Sequence, residues 1–348
     1  MVIIRKNGMI KKDGSKGTAT SQFTPANSPN FKGYEYYEQI NKKLKENNEE
    51  YEWIRVPCGN CLACKIQKSK EWAIRLECEA KQYETNYFLT LTYDEEHKPY
   101  KEIFEYNDKK YYDPGTWNGY LIKEDAIRFL NSFRKYCSRE YKWDGIRFYM
   151  VGEYGSLGQR PHYHAILLNC PKLKDLKPIG SNRKTKDAYL TSERIEHIWG
   201  KGFITIGEVT WQSMLYVAGY CQKKLNGSIG KELYARAGQT PPFANMSRKP
   251  GIGKYFFDEN KIKIYDCDEI INSKGLAVKP PQYYDKMMEK YDKELMENIK
   301  ERRKIKAKNY EIEKMKKTTL NIKEQMEVEE RTKIEKLKRY NRNRIADL

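Results

Sequence analysis

Three stretches of period-two alternation, separated by turn chemistry, constrain the fold of this chain more than any other feature. Tyr87–Tyr93 reads Y-F-L-T-L-T-Y, with β-branched and aromatic residues alternating as on a half-buried strand. Residues 146–153 (I-R-F-Y-M-V-G-E) and 162–168 (H-Y-H-A-I-L-L) repeat the signal. Between them Gly155, Ser156, Gly158 and Pro161 supply a turn, so the pair predicts an antiparallel hairpin. Residues 202–209 (G-F-I-T-I-G-E-V) give a further strand. Residues 123–137 place Ile127, Leu130, Phe133 and Tyr136 at helical steps, and helical patterns recur at 67–83 and 212–224. In the first of these, Trp72, Ala73, Leu76, Ala80 and Tyr83 should dock on the sheet. The element order predicts an α+β domain, an antiparallel sheet with helices on one face.

The two ends differ from this middle. Residues 1–50 are polar and rich in Gly, Pro and Ser without a period, which predicts a flexible arm. Residues 283–348 contain no Pro or Gly, are dense in both charges and carry apolar residues only loosely at helical spacing, which predicts a charged, helical tail. Across 348 residues, 66 Lys+Arg stand against 48 Asp+Glu, a net charge of +18, and such a surplus calls for a polyanionic partner. No window approaches the roughly 18 uninterrupted apolar residues of a membrane span. The apolar run after Met1 is too short for a signal-peptide core of about 7–15 residues, so export is not expected.

Four histidines occur in the chain, and two of them stand in R-P-H-Y-H-A-I-L-L. On a strand, His162 and His164 face the same side while Tyr163 faces the other, so both imidazoles can reach one ion; two ordinary strand histidines are the alternative. Glu153 ends the strand expected to pair with this one and can add a carboxylate, or stand as a plain surface residue. Two imidazoles and a carboxylate suit Mg²⁺ or Mn²⁺ held together with a phosphate.

Farther on, W-Q-S-M-L-Y-V-A-G-Y-C-Q-K-K-L puts Tyr216, Tyr220 and Lys223 at i, i+4 and i+7, on one face of a helix. A phenol with a pKa near 10 attacks poorly at neutral pH unless a cation stabilises the phenolate or a base takes its proton, and Lys223 can supply the cation. An aromatic stripe of this kind also suits a core-facing helix. Gly219, mid-helix, costs about 1 kcal/mol relative to Ala and is expected where another backbone approaches.

Cys58, Cys61 and Cys64 form C-x₂-C-x₂-C, with Cys78 thirteen residues beyond. A structural Zn²⁺ with Cys78 as fourth ligand is the preferred reading; an iron–sulfur cluster or a metal-free reduced loop are the others. Lys65, Lys68, Lys70 and Arg75 crowd the same segment and suit either DNA phosphates or solvent.

The H-Y-H strand, preceded by F-L-T-L-T-Y and followed by Y-V-A-G-Y-C-Q-K-K, resembles the three ordered motifs of the HUH (His-hydrophobic-His) endonucleases that start rolling-circle replication. Further motifs, P-C-G-N-C-L-A-C-K, W-A-I-R, G-E-Y-G, R-P-H-Y-H, W-G-K-G-F-I-T-I-G and M-S-R-K-P-G-I-G, resemble the replication initiators of microviruses, especially the gokushovirus branch. The likeness runs from about residue 56 to 255. It implies an HUH endonuclease domain over 86–282 behind a Cys-rich element at 51–85. It further implies a metal-dependent DNA endonuclease and strand transferase. His162 and His164 would hold the divalent ion, and Tyr216 or Tyr220 would attack single-stranded origin DNA to leave a 5′-phosphotyrosine and a 3′-hydroxyl. Lys223 matches the lysine of that motif. Host helicase and polymerase would be partners, in the cytoplasm of a bacterial host. His97 is a lesser candidate ligand. A plasmid replication initiator or relaxase shares the chemistry, and a zinc-stabilised DNA-binding regulator without catalysis is the rival of another class.

Overall fold

The computed structural model describes residues 2–6, 22–24, 32, 34–47, 51–55, 57, 59, 61–100, 102–106, 109–112, 119–155, 159–181, 186–220, 232, 234–235 and 239–345. Strands β1 (Val2–Lys6) and β2 (Gln22–Thr24), helix α1 (Tyr34–Glu46) and strand β3 (Tyr51–Arg55) come first. β1 pairs antiparallel with both other strands. The expectation of an arm without regular structure over 1–50 is therefore corrected. V-I-I-R-K has the β-branched run of a strand but too few residues to declare itself alone, and its partners lie far along the chain.

Helix α2 (Leu62–Ala80) leads to β4 (Tyr87–Tyr93), the small hairpin β5 (Glu102–Tyr106) and β6 (Lys109–Tyr112), and helix α3 (Lys123–Tyr141). Then come β7 (Arg147–Tyr154), β8 (Pro161–Leu168), β9 (Lys177–Ser181), β10 (Ala188–Thr191), α4 (Glu193–Trp199), β11 (Gly202–Glu208), α5 (Trp211–Tyr220) and β12 (Phe243–Met246). Seven of these strands form one antiparallel sheet in the order β12-β7-β8-β4-β11-β10-β9. The expected strands appear within about a residue of their predicted limits. Helix α6 (Lys254–Cys267), the short pair β13 (Ile270–Ile271) and β14 (Ala277–Val278), and helices α7 (Gln282–Tyr291), α8 (Lys293–Met315) and α9 (Ile322–Ile345) complete the described elements.

Helices cover both faces of the large sheet, not one. Phe129, Phe133 and Cys137 of α3 and Ile195 and Trp199 of α4 bury against Leu89, Leu91, Tyr163, Ala165 and Leu167. On the opposite face, Ala73 and Leu76 of α2 and Met214, Val217 and Tyr220 of α5 bury against Tyr149, Val151, Ile166 and Leu168. The cause is legible in hindsight: Y-M-V and A-I-L-L are apolar at consecutive positions, the pattern of strands buried on both sides. All eight residues of β7 are buried. The docking expected of Trp72, Ala73, Leu76, Ala80 and Tyr83 is borne out.

A third cluster joins Ile74 and Cys78 of α2 to Phe257, Ile264 and Tyr265 of α6, Tyr284 and Met288 of α7, and Met296 and Ile299 of α8. Contacts accordingly divide the chain into one unit of Ile66–Lys300 and another of Met1–Lys65 with Glu301–Ala346. The tail boundary at 283 and the domain limits of 86–282 are thus corrected, since residues beyond 282 bury side chains in the body. In the other unit, Lys314 of α8 ion-pairs with Glu329 of α9. No described helix is long and apolar enough to cross a membrane.

Candidate active site

Pairing of three adjacent strands builds the site. On β8, His162 and His164 share the face that α2 and α5 cover, and the hairpin register sets Glu153 of β7 directly opposite His162. The Glu153 Oε1 atom lies 3.5 Å from His162 Nε2 and 3.3 Å from His164 Nε2. Glu153 and His164 are 3% and 4% exposed, whereas the His162 side chain keeps 20% of its surface open to solvent. Across the other edge of β8, Thr90 of β4 is in register with His164, and its Oγ1 lies 3.0 Å from His164 Nδ1. A proton on Nδ1 donated to Thr90 leaves the Nε2 lone pair aimed at the centre, the arrangement that orients a ligating imidazole. Thr90 was missed in the sequence, where it reads only as one threonine of an alternating strand.

One ligand atom from each of Glu153, His162 and His164 lies within 4.8 Å of the others. Two imidazole nitrogens and a carboxylate oxygen, buried on one side and open at His162, fit a divalent cation with coordination positions left for a phosphate. His97 is not brought to this centre: it is exposed, and its Nδ1 sits 2.9 Å from Asp94.

Helix α5 lays its two tyrosines on the same imidazole. Its start is fixed by a reciprocal cap, Thr210 N–H donating to Ser213 Oγ (2.8 Å) and Ser213 N–H to Thr210 Oγ1 (3.2 Å). Buried Met214, Val217 and Ala218 set the helix's rotation on the sheet. The Tyr220 ring stacks on His164 at 5.0 Å between centroids, and Tyr216 meets it edge-on at 5.1 Å. The two phenol rings are 4.4 Å apart. Gly219 makes no close approach: no described atom lies within 4 Å of where its Cβ would be. Lys223, expected to act with these tyrosines, lies outside the described residues.

The cysteines separate. Cys61 and Cys64 have sulfurs 3.5 Å apart at the start of α2, and Cys58 lies outside the described residues. Cys78 is corrected as the fourth ligand. It shares helix α2 with Cys64 fourteen residues away, a rise of about 21 Å. It is also 1% exposed among apolar side chains, and burial pushes its thiol up to about 12. Arg75 is likewise not offered to DNA. Its guanidinium donates to the Ile252 carbonyl (3.0 and 3.1 Å) and lies between the rings of Trp72 and Tyr283.

Comparison with known proteins agrees with this picture. Residues 86–225 match the family model of the phage replication-associated proteins typified by ORF2. The replication-associated protein ORF2 of Spiroplasma virus 4 is 36% identical over 259 residues, 73% of this chain and 74% of the relative. The replication-associated protein VP4 of Bdellovibrio phage phiMH2K is 29% identical over 69% of each chain. The replication-associated protein ORF4 of Chlamydia phage 1 is 31% identical over 49% of this chain and 38% of its own. No solved structure matches. Sheet, histidine pair, tyrosine helix and relatives converge: the chain belongs to the ORF2 family of phage replication-associated proteins.

Proposed function

We propose that this protein nicks and rejoins single-stranded origin DNA to initiate rolling-circle replication. The observation that carries the reading is the seating of Tyr216 and Tyr220 against His164, beside the Glu153–His162–His164 donor set. Those three residues hold Mg²⁺ or Mn²⁺, which when bound draws charge from a non-bridging oxygen of the scissile phosphate. A tyrosine oxygen attacks the phosphorus and the bond to the 3′-oxygen breaks. The phenol proton is accounted for on the departing 3′-hydroxyl, leaving a 5′-phosphotyrosine. One diester replaces another, so the step runs backwards with little driving force either way, and a second phenol 4.4 Å from the first can cut while the first still holds a 5′ end. The free 3′-hydroxyl then primes the polymerase of a bacterial host, in whose cytoplasm the protein acts. Cys58, Cys61 and Cys64 hold a structural Zn²⁺ whose fourth ligand is not Cys78.

The test is cleavage of labelled single-stranded origin DNA with Mn²⁺ or with chelator. Wild type should give a covalent protein–DNA band only with the ion. Tyr216→Phe/Tyr220→Phe should give none, and His162→Ala/His164→Ala should bind DNA without cutting it. A band that survives loss of both phenols, or no band from wild type, contradicts the reading; the latter favours a non-catalytic DNA-binding regulator.

A further inference from the structure

The segment M-S-R-K-P-G-I-G, which the nicking site leaves unexplained, is held down residue by residue. Arg147 donates to the Pro250 carbonyl (2.8 Å), Arg75 to the Ile252 carbonyl and Tyr284 to the Gly253 carbonyl (2.7 Å), while buried Glu79 accepts from the Gly253 N–H. A side chain at Gly251 or Gly253 would run into the hydroxyls of Tyr283 or Tyr284, and Gly253 has φ +81°. This clamped backbone leaves Arg248 and Lys249 exposed at the rim of a groove of about 1060 Å³. Five Lys and Arg side chains line the groove against two carboxylates, Asp144 and Glu259. Two large aromatic rings stand open in it: Trp143 is 40% exposed and Tyr255 47%. The Trp143 ring is oriented by its Nε1–H, which donates to the Asn169 carbonyl at 2.8 Å.

Cations on a rigid loop beside exposed, oriented rings are the chemistry that binds phosphates and stacks unpaired bases together. A duplex hides the faces of its bases and would leave both rings unused. The groove lies at the Arg147 end of β7, six residues or about 20 Å along the strand from Glu153. We propose that it is a second site for single-stranded DNA, holding a part of the strand remote from the bond that is cut. The proposal stands apart from the nicking chemistry.

Binding is measured by fluorescence anisotropy with a labelled single-stranded oligonucleotide of arbitrary sequence. The full-length Tyr216→Phe/Tyr220→Phe protein is used, so failure of the nicking reading leaves the measurement unaffected. Adding Arg248→Ala/Lys249→Ala should weaken binding about tenfold and lower the log–log salt slope by about 1.4. Trp143→Ala should cost about tenfold and Trp143→Phe much less, and unlabelled duplex should compete poorly. Unchanged affinity and salt slope in the exposed Arg248/Lys249 variant, with an unchanged melting temperature, would overturn the site. Equal competition by duplex would overturn its assignment to single strands.

Discussion

Thr90 fixes the ring of His164 from the side away from the centre, a role that costs nothing to remove sterically. Thr90→Val keeps the strand and its packing but deletes the contact at Nδ1. Mn²⁺ affinity, measured by calorimetry on the full chain, is expected to fall about 10–100-fold, with the melting temperature little changed. An unchanged affinity would show that Thr90 does not orient the ligand. Among the cysteines, the exposed Cys61 should react readily with a thiol reagent at neutral pH, whereas Cys78, buried and with its thiol held protonated up to about 12, should react only on unfolding. Peptide mapping after alkylation checks both. At this scale the sequence was legible where geometry is local. The two-residue spacing of His162 and His164 put both on one face, and the hairpin turn brought Glu153 across. Thr90 and His164 are 74 positions apart, and only the pairing of β4 with β8 reveals them as neighbours.

Between elements, the buried pair of Glu79 on α2 and Arg147 on β7 is a joint. The glutamate side chain is wholly buried, and it also accepts from Tyr83 and from the Gly253 N–H. Glu79→Ala leaves the Arg147 guanidinium buried without its counter-charge, so urea unfolding should show a loss of about 3–5 kcal/mol. A loss below about 1 kcal/mol would mean that Arg147 finds solvent or another partner. Elements with a clear period, β4, the β7–β8 hairpin, β11 and α5, were readable because burial on alternate or helical positions is written into their own residues. The covering of both sheet faces was not, since it depends on which helix returns to which side. The Glu79–Arg147 joint, spanning 68 positions, left no local trace either.

For the whole molecule, the surplus of +18 divides unevenly. Residues 289–348 hold 19 Lys+Arg against 13 Asp+Glu, so about two thirds of the excess lies elsewhere in the chain. Non-specific affinity for single-stranded DNA should therefore fall linearly on a log–log plot against salt, and most of the slope should survive removal of residues 301–348. Such a truncation keeps the third core cluster, whereas stopping after 282 removes Tyr284, Met288, Met296 and Ile299 from it. At about 1.5–3 kcal/mol for each buried side chain, the shorter chain should lose cooperative melting and the longer one retain it. Charge density alone suggested a tail from 283, because the few apolar positions that anchor α7 and the start of α8 are outnumbered by charges around them.

The claim that a tyrosine of α5 attacks the phosphodiester is tested most directly by digesting the Mn²⁺-dependent protein–DNA adduct with protease and nuclease and locating the nucleotide by mass spectrometry. The expected result is a nucleotide mass on Tyr216 or Tyr220, moving to the remaining phenol when either is changed to Phe. A nucleotide carried by any other residue, or an adduct still formed when both are Phe, would contradict it.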